Sequence, residues 1–352
     1  MKKFMTRITL AVLVIVAAGF TFLFLAKTKD RGPGPYSSGF QTTKLQVPHR
    51  DEDLDLFVWY PTRDDLVPTL IGQNALFYGH YVRQNAKPQQ EILPLVIFSH
   101  GSGGNAYQIG WMAEALAAKG YVVLATNHPG TTSRNSLPER TVMIWERAQD
   151  LHELLNWAEN PTIDSLSLDA KNAAAIGFSL GGHSALAVAG LQVSKSNFIE
   201  YCERNPKIWD CGLLTRGGVN FSQIDATLYE ANYQDARIRA TVAIDPALTP
   251  AATSKSAATI SHPVMIINLE PNGGVVEALD ASEIAQAMAD ARYETLPQSW
   301  HFSFLPECSV LGKLIIGASE EENICSDWKL KNRQIVHQTL SDLIVPFLDK
   351  DI

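Results

Sequence analysis

Apolar and polar positions divide the chain into one long apolar block, then short apolar runs alternating with stretches of helical period. The block, residues 8–26, is unbroken and follows the basic Met1-Lys2-Lys3-Phe4-Met5-Thr6-Arg7. At a rise of 1.5 Å, about 19 helical residues just span a bilayer core of ~30 Å, and no clean small-x-small cleavage site follows. The pattern predicts an uncleaved signal anchor, with a cleaved signal peptide as the alternative. Lys2, Lys3 and Arg7 before the block balance Lys27, Lys29 and Arg31 after it, so charge does not orient it. Residues 27–40, with Gly32-Pro33-Gly34-Pro35, predict a polar tether unable to hold a core. Residues 1–35 therefore read as anchor or signal plus tether, and 36–352 as one folded domain.

Within that domain, residues 43–47 and 54–60 alternate as strands, Pro61 closing the second. Residues 62–91 are polar and read as irregular. Leu93-Pro94-Leu95-Val96-Ile97-Phe98-Ser99 is continuously apolar, as in a central strand covered on both faces. Residues 107–119 carry a helical stripe (Trp111, Met112, Ala115, Leu116) that stops at Gly120, a good helix-terminating residue. Further strands are expected at 121–126, 173–178, 240–244, 264–269 and 293–296, and helices at 145–157 and 184–189. Strand alternating with helix predicts an α/β fold, a mostly parallel central sheet flanked by helices with right-handed crossovers. Residues 193–236 interrupt the alternation and read as a small cap-like insertion.

Composition narrows the picture. The 352 residues are 46% hydrophobic, enough for one large core, and carry a net charge of −8. No basic cluster lies beyond the N-terminus, which argues against nucleic acid as a partner. Of four cysteines, Cys202 and Cys211 bracket one short loop, and Cys308 and Cys325 another. Neither pair has metal-ligand spacing, so two disulfides and an oxidising compartment are expected. The domain would then be periplasmic or otherwise extracytoplasmic on its anchor, or secreted if the segment is cleaved. No metal or organic cofactor is implied. Asn220-Phe221-Ser222 matches a glycosylation sequon, a tripeptide frequent by chance.

The chemistry concentrates at Gly177-Phe178-Ser179-Leu180-Gly181, where a buried strand turns sharply into a helix. Such an elbow holds a serine in a strained backbone and needs glycines where β-carbons would collide. Ser179 is the candidate nucleophile, and the Leu180 N–H, at a helix N-terminus, is a candidate oxyanion donor. The loop His100-Gly101-Ser102-Gly103-Gly104 after the third strand supplies a second donor, the Ser102 N–H. It lacks the Gly-Lys-Ser/Thr ending of a phosphate loop. A base and an orienting acid should follow in the order serine, acid, histidine. Of the histidines after Ser179, His183 is too local to reach back, His262 precedes a strand, and His337 sits in a C-terminal helix. His301, in the loop after the strand at 293–296, is the candidate base. Asp245 and Glu270 both end strands at the carboxyl edge of the sheet, and either fits the acid. His128, in His128-Pro129-Gly130, reads as a hydrogen-bonded loop residue, with substrate contact as the alternative.

Together with Val58-Trp59-Tyr60-Pro61, the 95–104 stretch, residues 113–130 and 176–186, and the His301 region, these features resemble the α/β-hydrolase superfamily. Within it the chain resembles the group described as predicted dienelactone hydrolases, related to platelet-activating-factor acetylhydrolase. The resemblance covers nearly all of residues 43–350. It implies the fold and supports His301 through the surrounding Trp300-His301-Phe302-Ser303-Phe304-Leu305. It also favours Asp245 over Glu270, because the acetylhydrolase relatives place the acid after the earlier strand. Dienelactone hydrolase itself attacks with cysteine, so Ser179 points to ordinary carboxylic ester hydrolysis of small-molecule or lipid esters. An inactive membrane-tethered binding protein on the same scaffold, or an acyltransferase or thioesterase with the same triad, are the alternatives.

Overall fold

The computed structural model describes residues 36–206, 208–318, 324–327 and 330–352. The apolar segment at 8–26 lies outside them. Among the described residues no helix is long and apolar enough to cross a membrane.

Ten strands form one sheet. In chain order they are β1 (Ser37–Leu45), β2 (Leu54–Thr62), β3 (Thr69–Ile71), β4 (His80–Gln84), β5 (Leu93–Ser99) and β6 (Val122–Thr126). After a small ribbon, β7 (Thr131–Thr132) and β8 (Asn135–Ser136), come β9 (Leu168–Phe178), β10 (Ile238–Ile244), β11 (Val264–Glu270) and β12 (Ala291–Pro297). Their spatial order is β12-β11-β10-β9-β5-β6-β2-β1-β4-β3. Every pair from β6 through β5, β9, β10 and β11 to β12 is parallel. β2 joins β6 antiparallel, which leaves the expected mostly parallel α/β-hydrolase sheet.

Alternation along β5 explains the layers. Val96 and Phe98 point into one core with Trp111, Met112 and Leu116 of α1 (Gly110–Ala117) and Leu340 and Ile344 of the C-terminal helix Arg333–Asp351. Leu95 and Ile97 point the other way. They meet Leu151, Leu154 and Leu155 of α2 (Ile144–Glu159) and Ala185 and Val188 of α3 (Leu180–Ala189). A strand buried on both faces has no polar phase, hence its unbroken apolar run.

Three expectations need correction. The tether does not reach residue 40: β1 begins at Ser37, pairs with β2 from Ser37↔Thr62 to Leu45↔Leu54, and buries Phe40 at 5.0 Å from the Trp59 ring. Residues 62–91 are not irregular throughout. β3 and β4 form an antiparallel pair that extends the sheet beyond β1. Both errors have one cause: these outer strands are ordered by pairing, and their mixed polarity carries no clean period of two. The helix expected from 107 begins as a 3-10 turn, Ala106–Ile109, before α1.

Residues 193–236 are largely helical, with helices Lys195–Arg204 and Trp209–Arg216 joined by the Cys202–Cys211 disulfide, then Ala226–Tyr229. Phe198, Tyr201, Leu214 and Tyr229 pack with Leu180, the first residue of α3. The second expected disulfide, Cys308–Cys325, is also formed.

Candidate active site

The turn from β9 into α3 is built by close approach. A β-carbon on Gly177 would fall 1.9 Å from the Gly181 carbonyl oxygen, and one on Gly181 would fall 2.0 Å from that of Ser99. Only glycine fits at either position. Ser179 between them takes φ +56°, a left-handed conformation that costs a non-glycine residue of the order of 1–3 kcal/mol. Backbone bonds on both sides hold it there. The Ser179 N–H donates to the Ile244 carbonyl at 3.0 Å, and the Ala247 and His183 N–H groups donate to the Ser179 carbonyl. The hydroxyl makes no cap bond within its own helix.

Two distant side chains, His301 and behind it Asp245, line up on that hydroxyl. His301 opens a 3-10 turn, His301–Phe304, four residues past the end of β12. Its Nε2 lies 3.0 Å from Ser179 Oγ, and its Nδ1 lies 2.7 Å from Asp245 Oδ2. With Asp245 ionised, Nδ1–H donates to the carboxylate, and Nε2 is left to accept the serine proton. The imidazole packs 4.7 Å from the Phe178 ring, itself stacked on Phe304 at 4.2 Å. Asp245, just past β10, is buried. Its second oxygen, Oδ1, accepts from Asn268 Nδ2 at 2.9 Å and from the Leu269 N–H at 3.0 Å.

Asn268 escaped the sequence reading, although a single amide inside the apolar run of β11 was a signal. It is fully buried and fully satisfied. Besides holding Asp245, it donates to the Leu279 carbonyl and accepts from the Ala281 N–H and the Tyr293 hydroxyl. Glu270 ends β11 as expected, but Asp245, not Glu270, meets His301. The Glu270 carbonyl accepts from the Ser299 N–H, at the turn leading to His301.

The other histidines lie elsewhere. His183 is buried in α3 and meets Ser179 only through the backbone. His262 Nε2 pairs with Thr241 Oγ1, midway along β10. His337 stacks on Trp111 at 3.8 Å and donates from Nε2 to the Phe304 and Leu305 carbonyls, bracing the histidine turn from behind. His128 is fully buried, with Nδ1 on Asp150 and Nε2 on Ser99, so substrate contact does not fit it.

The glycine-rich loop passes close over the elbow: a β-carbon on Gly101 would sit 3.2 Å from the Ser179 Cβ. Among the described residues' hydrogen bonds, neither the Ser102 N–H nor the Leu180 N–H has an acceptor. His, Cys, Asp and Glu form no group among the described residues placed to hold a metal ion. The arrangement can activate a hydroxyl against a carbonyl carbon beside two free backbone donors.

The family described as X-Pro dipeptidyl-peptidase (S15 family) matches residues 52–290. A search of curated proteins finds no match. Among solved structures, the ferulic acid esterase from Streptomyces cinnamoneus superposes with a TM-score of 0.58 at 15% identity, covering 92% of each chain. A putative dipeptidyl aminopeptidase IV from Bacteroides ovatus gives 0.47 at 11% identity, over 90% of this chain and 36% of the other. The esterase Est2 from Thermogutta terrifontis gives 0.46 at 14% identity, over 88% of this chain and 92% of the other.

Proposed function

Because the chain belongs to the X-Pro dipeptidyl-peptidase (S15) family of hydrolases, we propose that it is a serine hydrolase that cleaves carboxylic esters through an acyl-enzyme. The family match supports the α/β-hydrolase superfamily and not the narrower dienelactone hydrolase and acetylhydrolase group. A serine elbow, a glycine-rich loop and a histidine loop occur across the superfamily and do not divide its members.

One observation carries the proposal: the unbroken hydrogen-bond chain from Ser179 Oγ through His301 to Asp245. In the first step Ser179 Oγ attacks the ester carbonyl carbon while its proton passes to His301 Nε2. Asp245 holds the imidazole in the right tautomer and stabilises the imidazolium. The N–H groups of Ser102 and Leu180 take the oxyanion, where one donor is worth about 10²–10³ in rate. Collapse of the tetrahedral adduct breaks the bond to the alkoxide, which leaves with the proton from His301. Water, deprotonated by the same imidazole, then releases the acid and restores the serine.

The helices of residues 193–236 pack against Leu180, next to the nucleophile, which supports a role for the insertion in bounding a small-molecule or lipid ester. The family match specifically favours a second reading, cleavage after proline near a peptide N-terminus. p-Nitrophenyl esters of rising chain length, assayed beside Gly-Pro-p-nitroanilide, separate the two. The proposal expects a higher kcat/KM on an ester, and a preference for the dipeptide anilide would overturn it. Two disulfides support an extracytoplasmic domain, carried on the segment at 8–26. Free thiols on all four cysteines in protein taken from cells would refute that placement.

A further inference from the structure

Beneath the glycine-rich loop lies a buried polar network that the proposed mechanism leaves unused. Arg147, on the inward face of α2, is 1% exposed. Its guanidinium donates to the His100 carbonyl, to Ser99 Oγ at 3.0 Å, to Thr131 Oγ1 at 2.7 Å and to Ser184 Oγ at 3.2 Å. Those acceptors belong to β5, the loop after it, the ribbon strand β7 and α3, and none is a carboxylate.

The nearest counter-charge is Asp150, one turn along α2. It is fully buried and accepts from Arg50 Nε at 2.9 Å and Nη2 at 2.6 Å, and from His49 Nε2 and His128 Nδ1, both at 2.7 Å. Burial alone would raise its carboxyl, but the bonds from His128, His49 and Arg50 outweigh that and hold it well below the usual range. The donor directions follow. His128 Nδ1–H gives to Asp150, so Nε2 accepts the Ser99 hydroxyl proton at 2.9 Å, and Ser99 Oγ is free to accept from Arg147. Ser99, His128 and Asp150 have the connectivity of a second triad, but all three are fully buried and no substrate carbonyl can reach them.

The network acts on the loop instead. The Gly101 carbonyl accepts from His100 Nδ1–H at 2.7 Å and from the Gly104 N–H at 3.1 Å. Ser133 Oγ holds the Gly103 carbonyl, and the Thr131 carbonyl takes the Gly103 N–H. In a trans peptide the N–H points opposite to the C=O of the same unit. Fixing the Gly101 carbonyl inward therefore turns the Ser102 N–H outward, and among the described residues' hydrogen bonds it has no acceptor.

We propose that Arg147 is a positioning residue: by clamping the His100 carbonyl and Thr131 at once, it sets the direction of the Ser102 N–H toward the oxyanion. The inference rests on the proposed oxyanion role of Ser102. Its test measures the second-order rate of fluorophosphonate labelling of the full-length chain, with kcat and KM on a p-nitrophenyl ester, and thermal unfolding to establish folding. In Arg147→Met, labelling and kcat are expected to fall together by about tenfold to a hundredfold, less than complete loss of a donor, with KM within about twofold. Arg147→Lys, which keeps the charge and one donor direction, should recover part of the loss. A folded Arg147→Met that labels within about threefold of the wild type, or whose defect lies wholly in KM, overturns the proposal alone. If Arg147→Met does not fold, Ser99→Ala, which cuts the link between Arg147 and His128, decides. It should label several-fold more slowly, and an unchanged rate overturns the proposal. A wild-type chain that does not label at all removes the serine-hydrolase reading, and this inference with it.

Discussion

Ser179 sits in a strained conformation because β9, β10 and two glycines leave the chain no other path, and that strain lifts the hydroxyl toward His301. Asp245 takes φ +47°, so nucleophile and acid are both held outside the ordinary backbone regions. Asn268 then aims the carboxylate. Asp245→Asn should cost about 10³–10⁴ in kcat with little change in KM, by analogy with the tautomer error seen when a triad acid is made an amide. Glu270→Gln should stay within about threefold, and steady-state kinetics on one ester compares them directly. Residues with a local signature were legible in the sequence: glycines flank Ser179, and a strand leads to His301. The residue pattern alone left Asp245 and Glu270 open, because both end parallel strands; only the family resemblance favoured Asp245, and the facing seen in three dimensions agrees with it. Asn268, Arg147 and Asp150 were legible only as lone polar residues on apolar faces, a signal that marks burial without naming a partner.

At the scale of elements, the interior of the sheet could be read from unbroken apolar runs, whereas its outer part could not. β3, β4 and the first half of β1 are held by pairing and by aromatic contacts such as Phe40 with Trp59, which leave no period in the sequence; only the end of β1 alternates. The cysteines were readable from chain proximity alone. Cys308–Cys325 closes the segment after the histidine turn, and Arg333 ties to it through the Pro306 carbonyl at 2.9 Å and Cys308 Sγ. On a chain-entropy estimate, opening that bridge should cost about 3 kcal/mol. Denaturant melts of Cys308→Ser/Cys325→Ser beside the wild type measure it. The double variant should also label Ser179 more slowly, because its bridge braces the segment bearing His301. A melt that does not move would show that the bridge adds nothing to the fold.

Across the whole molecule, three buried histidines make stability fall as pH drops below neutral. Burial, reinforced by the Arg147 charge, holds His128 and His183 down to about 4, and pushes His100 well below 6.5. In the unfolded chain the same imidazoles titrate near 6.5. Between those values the unfolded state binds more protons than the native one, so stability is full above about pH 6.5 and falls as pH drops toward 4. For His128 and His183, each such shift corresponds to ~3 kcal/mol. The lowered Asp150 carboxyl adds a further loss only once pH falls below the unfolded carboxylate value near 3.8. Calorimetric unfolding at pH 7, 5.5 and 4.5 should show Tm dropping steadily, and a flat profile would contradict neutral burial of these rings.

The central claim is that Ser179 is an activated nucleophile, and fluorophosphonate labelling of the full-length chain beside Ser179→Ala tests it most directly. The account predicts a single label on the wild type, lost in Ser179→Ala, together with turnover of p-nitrophenyl esters that disappears in the same variant. A folded wild-type chain that takes no label and turns over no ester would contradict it, and would leave a hydrolase scaffold that binds without cleaving.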